Sequence, residues 1–170
     1  MNSGAAIKFL VLDADGVLTD CRLFYTDDGR EIKSFNVRDG HGIKLLMRAG
    51  IGVAIITGRI SKAVEHRARD LQIEHVVQGA KDKKTALLEL SRQVGIEPGE
   101  MAYMGDDVVD LPAMALCGMS IAPGDAVDMV RERADVVTST RGGHGAVREA
   151  SEIILKHLGL FEKAMERYVD

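Results

Sequence analysis

The stretch KFLVLDADGVLTD, Lys8 to Asp20, decides the fold. It runs from the apolar Phe9-Leu10-Val11-Leu12 straight into Asp13, Asp15 and Asp20. A short continuous apolar run bounded by turn residues reads as a buried strand. Asp13 and Asp15 therefore stand at the end of a strand that water does not reach. A buried carboxylate is costly unless it is paired, hydrogen-bonded or bound to a metal. Something positive has to meet that strand end.

Outward from this stretch, short apolar runs alternate with helical patterns. Strands are predicted at Lys8–Leu12, Val53–Ile56, His75–Gln78, Met101–Met104, Met119–Ile121 and Val136–Val137. Helices are predicted at Gly42–Ala49, Ile60–Leu71, Asp82–Val94, Val109–Leu116, around Ala126–Glu132 and at Ala146–Leu158, with Phe161–Tyr168 as an extension of the last. The Ile60–Leu71 helix carries Ile60, Ala63, Val64, Arg67, Ala68 and Leu71 at helical spacing, and Ser61 reads as its cap. Pro112 falls in a first turn, where a missing N–H is tolerated. This β-α-β-α order predicts an α/β fold, a mostly parallel sheet with helices on both faces.

The bulk numbers agree with one domain spanning 1–170. The chain has 170 residues, 46% hydrophobic and 28% charged, enough for a single core. Its net charge of -4, with no dense basic block, argues against a nucleic-acid partner. No apolar run approaches the ~18 residues of a membrane span. Met1–Gly4 lacks the basic and apolar regions of a secretory signal, and Cys21 and Cys117 show no metal-like spacing. A reduced, cytoplasmic protein is expected.

One segment departs from the alternation. Residues 21–35, CRLFYTDDGREIKSF, read as a β-hairpin with strands at Arg22–Thr26 and Glu31–Phe35 and a turn at Asp27-Asp28-Gly29. Its Leu23, Phe24, Tyr25, Ile32 and Phe35 are more than a two-stranded ribbon can hide. The hairpin either folds back on the domain or, as the favoured reading, packs on a partner chain. Residues 159–170 form a C-terminal tail.

In open α/β sheets, ligands bind beyond the carboxyl ends of the strands. Four polar clusters stand at such ends: Asp13 with Asp15, Thr57-Gly58-Arg59, Lys81 to Lys84, and Gly105-Asp106-Asp107. Asp13, Asp106 and Asp107 offer hard oxygen ligands suited to Mg²⁺. Thr57 offers a hydroxyl, Gly58 an open N–H and one lysine a cation, which together suit a phosphoryl group. Residues two apart on an extended segment point to one side. Asp13 can then attack phosphorus while Asp15 reaches the leaving oxygen. Each cluster alone is a common turn or helix start; their ordered recurrence at strand ends points to phosphoryl chemistry.

These residues resemble the motifs of the haloacid dehalogenase superfamily of phosphatases. DADGVLTD looks like the first motif, Thr57 the second, Lys83 the third and GDDVVD the fourth. The resemblance implies a Rossmann-like doubly wound sheet, Asp13 as nucleophile and Asp15 as general acid/base. It implies Mg²⁺ held by Asp13, the main-chain carbonyl of Asp15 and Asp106, with Asp107 acting through water or from behind the direct ligands and Asp110 steadying Lys83. Lys83 fits the Gly79-x-x-x-Lys spacing better than Lys81 or Lys84. DGVLTD, FNVRDGHGIKLL, ITGR, GDDVVDLPAM and RGGHGAVREA extend the resemblance to a capless branch of that superfamily. Ala14 stands between the two aspartates where Val or Phe is more usual. That branch implies hydrolysis of an eight-carbon ulosonic acid 8-phosphate in lipopolysaccharide synthesis. It also implies a homotetramer in which the hairpins take the place of a cap.

The implied substrate carries a carboxylate, so arginines are the natural readers of it. Arg59 is the first candidate and Arg67 the second, with a packing role open for Arg67. Arg141 to Gly145 and His41 are weaker candidates. Three alternatives remain at this stage: a nine-carbon ulosonic acid 9-phosphate as substrate, a phospho-accepting receiver domain, and a degenerate structural subunit. A receiver places its acidic pair first and its phospho-accepting aspartate later, the reverse of the order here.

Overall fold

A computed structural model of the chain describes residues 6–169, so the expectation for Met1–Gly4 lies outside the described residues. Six strands form one parallel sheet: β1 (Phe9–Leu12), β4 (Gly52–Ile56), β5 (His75–Val77), β6 (Met101–Met104), β7 (Met119–Ala122) and β8 (Val136–Val137). Their order across the sheet is β5-β4-β1-β6-β7-β8. The chain builds outward from β1 to β5, then returns to β1's other side and builds outward again. The reversal point lies at β1, which puts the site beyond its carboxyl end.

The pleat of the sheet sorts side chains into two cores. Leu10, Leu12, Val53, Ile55, Met104 and Ile121 face one side. They meet α1 (Val37–Arg48), α2 (Lys62–Leu71) and α6 (Ala146–His157) through Ile43, Leu46, Val64, Ala68, Val147 and Ile154. Phe9, Val11, Ala54, Ile56, Met101 and Tyr103 face the other side. There they meet α3 (Lys83–Val94), α4 (Leu111–Met114) and α5 (Asp128–Arg131). The doubly wound α/β fold expected from the strand and helix order is the one observed. Ala14 is fully buried, in line with an inward side chain.

Helix boundaries differ from expectation for local reasons. α1 begins at Val37, five residues before the predicted start, because Asn36 caps it by accepting from the Arg38 N–H at 2.8 Å. α2 begins at Lys62, not Ile60; Ser61 is extended, its N–H bonds Gln78 Oε1 at 2.7 Å, and Ile60 is left 79% exposed. α4 and α5 are single turns. α6 and the tail are separate helices: Gly159 takes φ +67 and α7 (Phe161–Val169) follows. α7 is not free, since Phe161, Ala164 and Met165 pack against the core.

α1 and α6 approach closely. A side chain on Gly42 would meet the Arg148 backbone at 2.8 Å. The buried Asp39 of α1 caps α6 by accepting from the N–H groups of Gly145 and Arg148, at 3.2 and 2.8 Å. His41, a candidate ligand by sequence, faces α6 and α7: Nε2 lies 2.9 Å from the Tyr168 hydroxyl and Nδ1 3.1 Å from the Arg148 guanidinium.

The hairpin is β2 (Phe24–Tyr25) paired with β3 (Glu31–Ile32), turning at Gly29 with φ +80. Leu23, Phe24, Tyr25 and Ile32 are 45 to 58% exposed. Cys21 and Cys117 are free thiols. Among the described residues, no helix is long and apolar enough to cross a membrane.

Candidate active site

Three strand ends converge because the parallel register brings them level. Leu12 of β1 pairs with Ile55 of β4 on one side and Met104 of β6 on the other. The Asp13 N–H continues that pairing by donating to the Met104 carbonyl at 3.0 Å. Asp13 therefore sits beside Gly105-Asp106, and Thr57-Gly58-Arg59 sits across β4. Oxygens of Asp13, Asp106 and Asp110 lie within 4.8 Å of one another.

Glycines allow the loops to close this far. Gly16 takes φ +81, and a Cβ there would overlap the Asp106 carboxylate. Gly142 packs just as tightly on the Gly16 carbonyl, so the RGGHG segment braces the first loop from behind.

The positive charge demanded by Asp13 is the ammonium of Lys83. Its Nζ lies 2.8 Å from Asp13 Oδ2 and 2.6 Å from Asp110 Oδ1. Lys83 is buried while Lys81 and Lys84 are exposed, so the geometry selects Lys83 among the neighbouring lysines. Asp82 caps α3 by accepting from the Thr85 N–H at 3.2 Å, which sets Lys83 at the helix start facing inward. Asp110 is fully buried and saturated with donors. Besides Lys83 it accepts from the Tyr103 hydroxyl at 2.9 Å and from the N–H groups of Asp106 and Asp107 at 3.3 Å each.

The electrostatics show negative charge in excess. Burial, and then Asp110, push the Asp13 carboxyl up to about 6 despite Lys83. Burial, and then Asp13 and Asp110, push Asp106 up to about 7. Burial disfavours the charge on Lys83, but Asp13 and Asp110 outweigh it and hold the ammonium above its ordinary value. Burial, and next Asp110, raise the Tyr103 phenol, which stays a donor.

The other candidates fall into two groups. Thr57 is buried at the end of β4, its N–H on the Val77 carbonyl at 2.9 Å, and a Cβ on Gly58 would meet only the Ala80 carbonyl, at 3.7 Å. Asp15 turns to the hairpin, where it pairs with Lys33 and faces Arg59 Nε at 3.6 Å. Arg59 also reaches Glu31 at 2.6 Å and the Tyr25 hydroxyl at 3.3 Å. Asp107 is exposed and accepts from the Val108 N–H at 2.7 Å, outside the carboxylate cluster. Arg67 lies over the Phe35 ring and donates to the Asn36 carbonyl at 2.9 Å, bracing the start of α1.

Sequence reasoning missed Lys33, Glu31 and Tyr103. The signal for the first two was present: in Glu31-Ile32-Lys33-Ser34-Phe35, the odd positions share one face of the strand.

Comparison with known proteins places this geometry in context. Residues 72–149 match the model of a haloacid dehalogenase-like hydrolase family. The chain is 50% identical over 153 residues to the 3-deoxy-D-manno-octulosonate 8-phosphate phosphatase of Haemophilus influenzae, covering 90% of this chain and 85% of that one. It is 44% identical over 158 residues to the enzyme of that name from Escherichia coli K12, covering 93% and 84%. Among solved structures, the phosphatase of the same name from Moraxella catarrhalis superposes with a TM-score of 0.93 at 42% identity, covering 96% and 94%. That structure is a complex with a magnesium ion, a phosphate ion and a KDO molecule.

Proposed function

This chain belongs to the haloacid dehalogenase-like hydrolases, and from that membership we propose that it hydrolyses 3-deoxy-D-manno-octulosonate 8-phosphate to the free sugar acid and phosphate. The observation that carries the reading is the Asp13–Lys83–Asp110 arrangement next to Asp106, assembled from three separate segments at the carboxyl ends of the central strands. It suits in-line attack on a phosphorus atom, where positioning and charge neutralisation supply most of the catalysis.

The donor set fits magnesium. Clustered carboxylates are hard oxygen ligands, and their raised pKa values mark a site short of positive charge. Asp13, Asp106 and the Asp15 carbonyl would hold the ion, with Asp107 on the solvent side. Asp110 serves differently, because its oxygens already accept from Lys83, Tyr103 and two backbone N–H groups. When bound, the ion supplies charge neutralisation to the phosphoryl oxygens and to Asp13.

The chain's own residues then do the following. Lys83 holds Asp13 in place, and Thr57 and the Gly58 N–H orient the phosphoryl group. An Asp13 oxygen forms a bond to phosphorus as the phosphorus–sugar oxygen bond breaks. Asp15 gives its proton to the departing oxygen. Asp15 then takes a proton from water, whose oxygen attacks phosphorus. The bond to Asp13 breaks, phosphate leaves and the carboxylate is restored. Arg59, at the rim beside Asp15, is the guanidinium suited to the substrate carboxylate, while Arg67 has its packing duty at α1.

The hairpin supports a further part of the reading. Its Phe24 and Ile32 pair across one face of the ribbon and are about half exposed; that open apolar face and the ribbon's unpaired edges are suited to pairing with other copies in a cytoplasmic homotetramer that serves lipopolysaccharide synthesis. Light scattering on the purified chain tests the assembly; a monomer at micromolar concentration contradicts it.

Phosphate release across a panel of sugar phosphates, with magnesium and with chelator, tests the function. The expected result is magnesium-dependent release with preference for the eight-carbon ulosonic acid over a nine-carbon 9-phosphate. Equal rates on every ester overturn the substrate assignment, and no release overturns the phosphatase reading.

A further inference from the structure

The hairpin does more than present an apolar face. Its opposite face carries Glu31 and Lys33 inward, onto the catalytic loop. The Lys33 side chain is 0% exposed and pairs with Asp15 Oδ1. Arg59 Nε stands 3.6 Å from Asp15 Oδ2. Both oxygens of Asp15 thus face a cation, and one carboxylate holds both cations: Glu31 Oε1 lies 3.4 Å from Lys33 Nζ, and Oε2 2.6 Å from the Arg59 guanidinium. Glu31 Oε1 is itself buried with no hydrogen-bond partner, so its alignment toward the Lys33 ammonium is what compensates it.

We propose that Lys33, backed by Glu31, is a positioning residue that fixes the Asp15 carboxylate at the leaving-group oxygen. A fully enclosed ammonium cannot touch substrate, so Lys33 acts only through Asp15. Asp15 sits in a turn rather than a strand or helix, and its carboxylate is held from outside its own loop, by Lys33 and Arg59. Proton donation needs the carboxyl within hydrogen-bond reach of the departing oxygen, and a displacement of about 1 Å can cost on the order of 100-fold. A buried cation without its counter-ion is strongly disfavoured, so the Lys33 contact is not casually broken. The hairpin therefore takes the place of a lid in one respect: it is the element that orients the acid. Any event that moves the hairpin, including its pairing with another copy, changes the placement of Asp15.

The proposal rests on the reading of Asp15 as general acid, and the test separates the two. Two esters are compared under steady-state conditions with saturating magnesium: an alkyl sugar phosphate, whose oxygen needs a proton to leave, and p-nitrophenyl phosphate, whose anion leaves without one. In Lys33→Met the ratio of kcat on the sugar ester to kcat on the aryl ester is expected to fall about 30- to 100-fold, with KM for the sugar ester within about threefold of wild type. Glu31→Gln shows the same pattern at about tenfold and stands in should Lys33→Met not fold. A purely structural role lowers both esters alike and leaves the ratio unchanged, which overturns the assignment. An Asp15→Asn variant whose ratio matches wild type overturns the reading of Asp15 as acid instead, and a wild-type chain with no activity on either ester overturns the phosphatase reading.

Discussion

Removing the Asp110 carboxylate is the sharpest test of how the site is held. In Asp110→Ala, Lys83 loses its 2.6 Å partner and keeps only Asp13 at 2.8 Å. The buried Tyr103 hydroxyl loses its acceptor at 2.9 Å. Breaking a buried ion pair by removing one partner costs about 3–5 kcal/mol, and an unpaired buried hydroxyl about 1–3 kcal/mol. Because Asp13 still compensates Lys83, and relieving carboxylate repulsion offsets part of the loss, the low end of the sum applies, about 4 kcal/mol. For a domain of this size that is a fall in Tm of roughly 10 °C. Urea denaturation in chelator, where no metal contributes, measures it. Asp110→Asn keeps the shape and loses the charge, and should cost about half as much. In the Lys83→Met background the Asp110→Ala loss should shrink, because the shared contact is already gone. A loss below about 1 kcal/mol for Asp110→Ala, in the range of an exposed ion pair, would refute the reasoning.

Two other perturbations read different parts of the account. Gly16→Ala combines a strained φ of +81 with a side chain driven into Asp106; magnesium affinity by calorimetry should fall at least tenfold, and unchanged affinity contradicts the close-approach argument. Glu149 accepts from the N–H and hydroxyl groups of both Ser139 and Thr140, at 2.7 to 3.0 Å. Burial opposes its charge, but these donors prevail and hold its pKa below the ordinary value. Its contribution is therefore present above the unfolded pKa of about 4.3 and lost as pH falls through the lower folded value. Glu149→Gln should cost roughly 1–2 kcal/mol at pH 7, reduced by partial solvent screening, and the gap from wild type should close in acid. A gap that widens below pH 4 has the wrong sign.

The strands were legible because burial on both faces leaves a plain signal. Phe9 to Leu12 is apolar without interruption, and its alternate residues divide between the two cores. That Asp13 and Lys83 meet was legible because each motif stands at a strand end, and parallel register makes strand ends level. The start of α1 was not, since Gly40 and Gly42 disfavour a helix by about 1 kcal/mol each. Packing decides there: Gly40 makes room for the Arg67 guanidinium and Gly42 for the Arg148 backbone. The hairpin inverted the usual pattern. Its apolar Phe24 and Ile32 point to solvent, while charged Glu31 and Lys33 point to the domain. Reading apolar residues as the inward set therefore hides Lys33. Tyr103 was invisible for another reason: a phenol within an apolar strand reads as packing until Asp110 is placed against it.

The account's central claim is that Asp13 takes the phosphoryl group. Rapid quenching of the magnesium-loaded protein with its sugar phosphate, followed by peptide mass spectrometry under mild acid, tests that directly. The prediction is a transient gain of one phosphoryl mass on the peptide containing Asp13, absent in Asp13→Asn and enriched in Asp15→Asn. A chain that releases phosphate at full rate with no such adduct, or with Asp13→Asn still active, would contradict it.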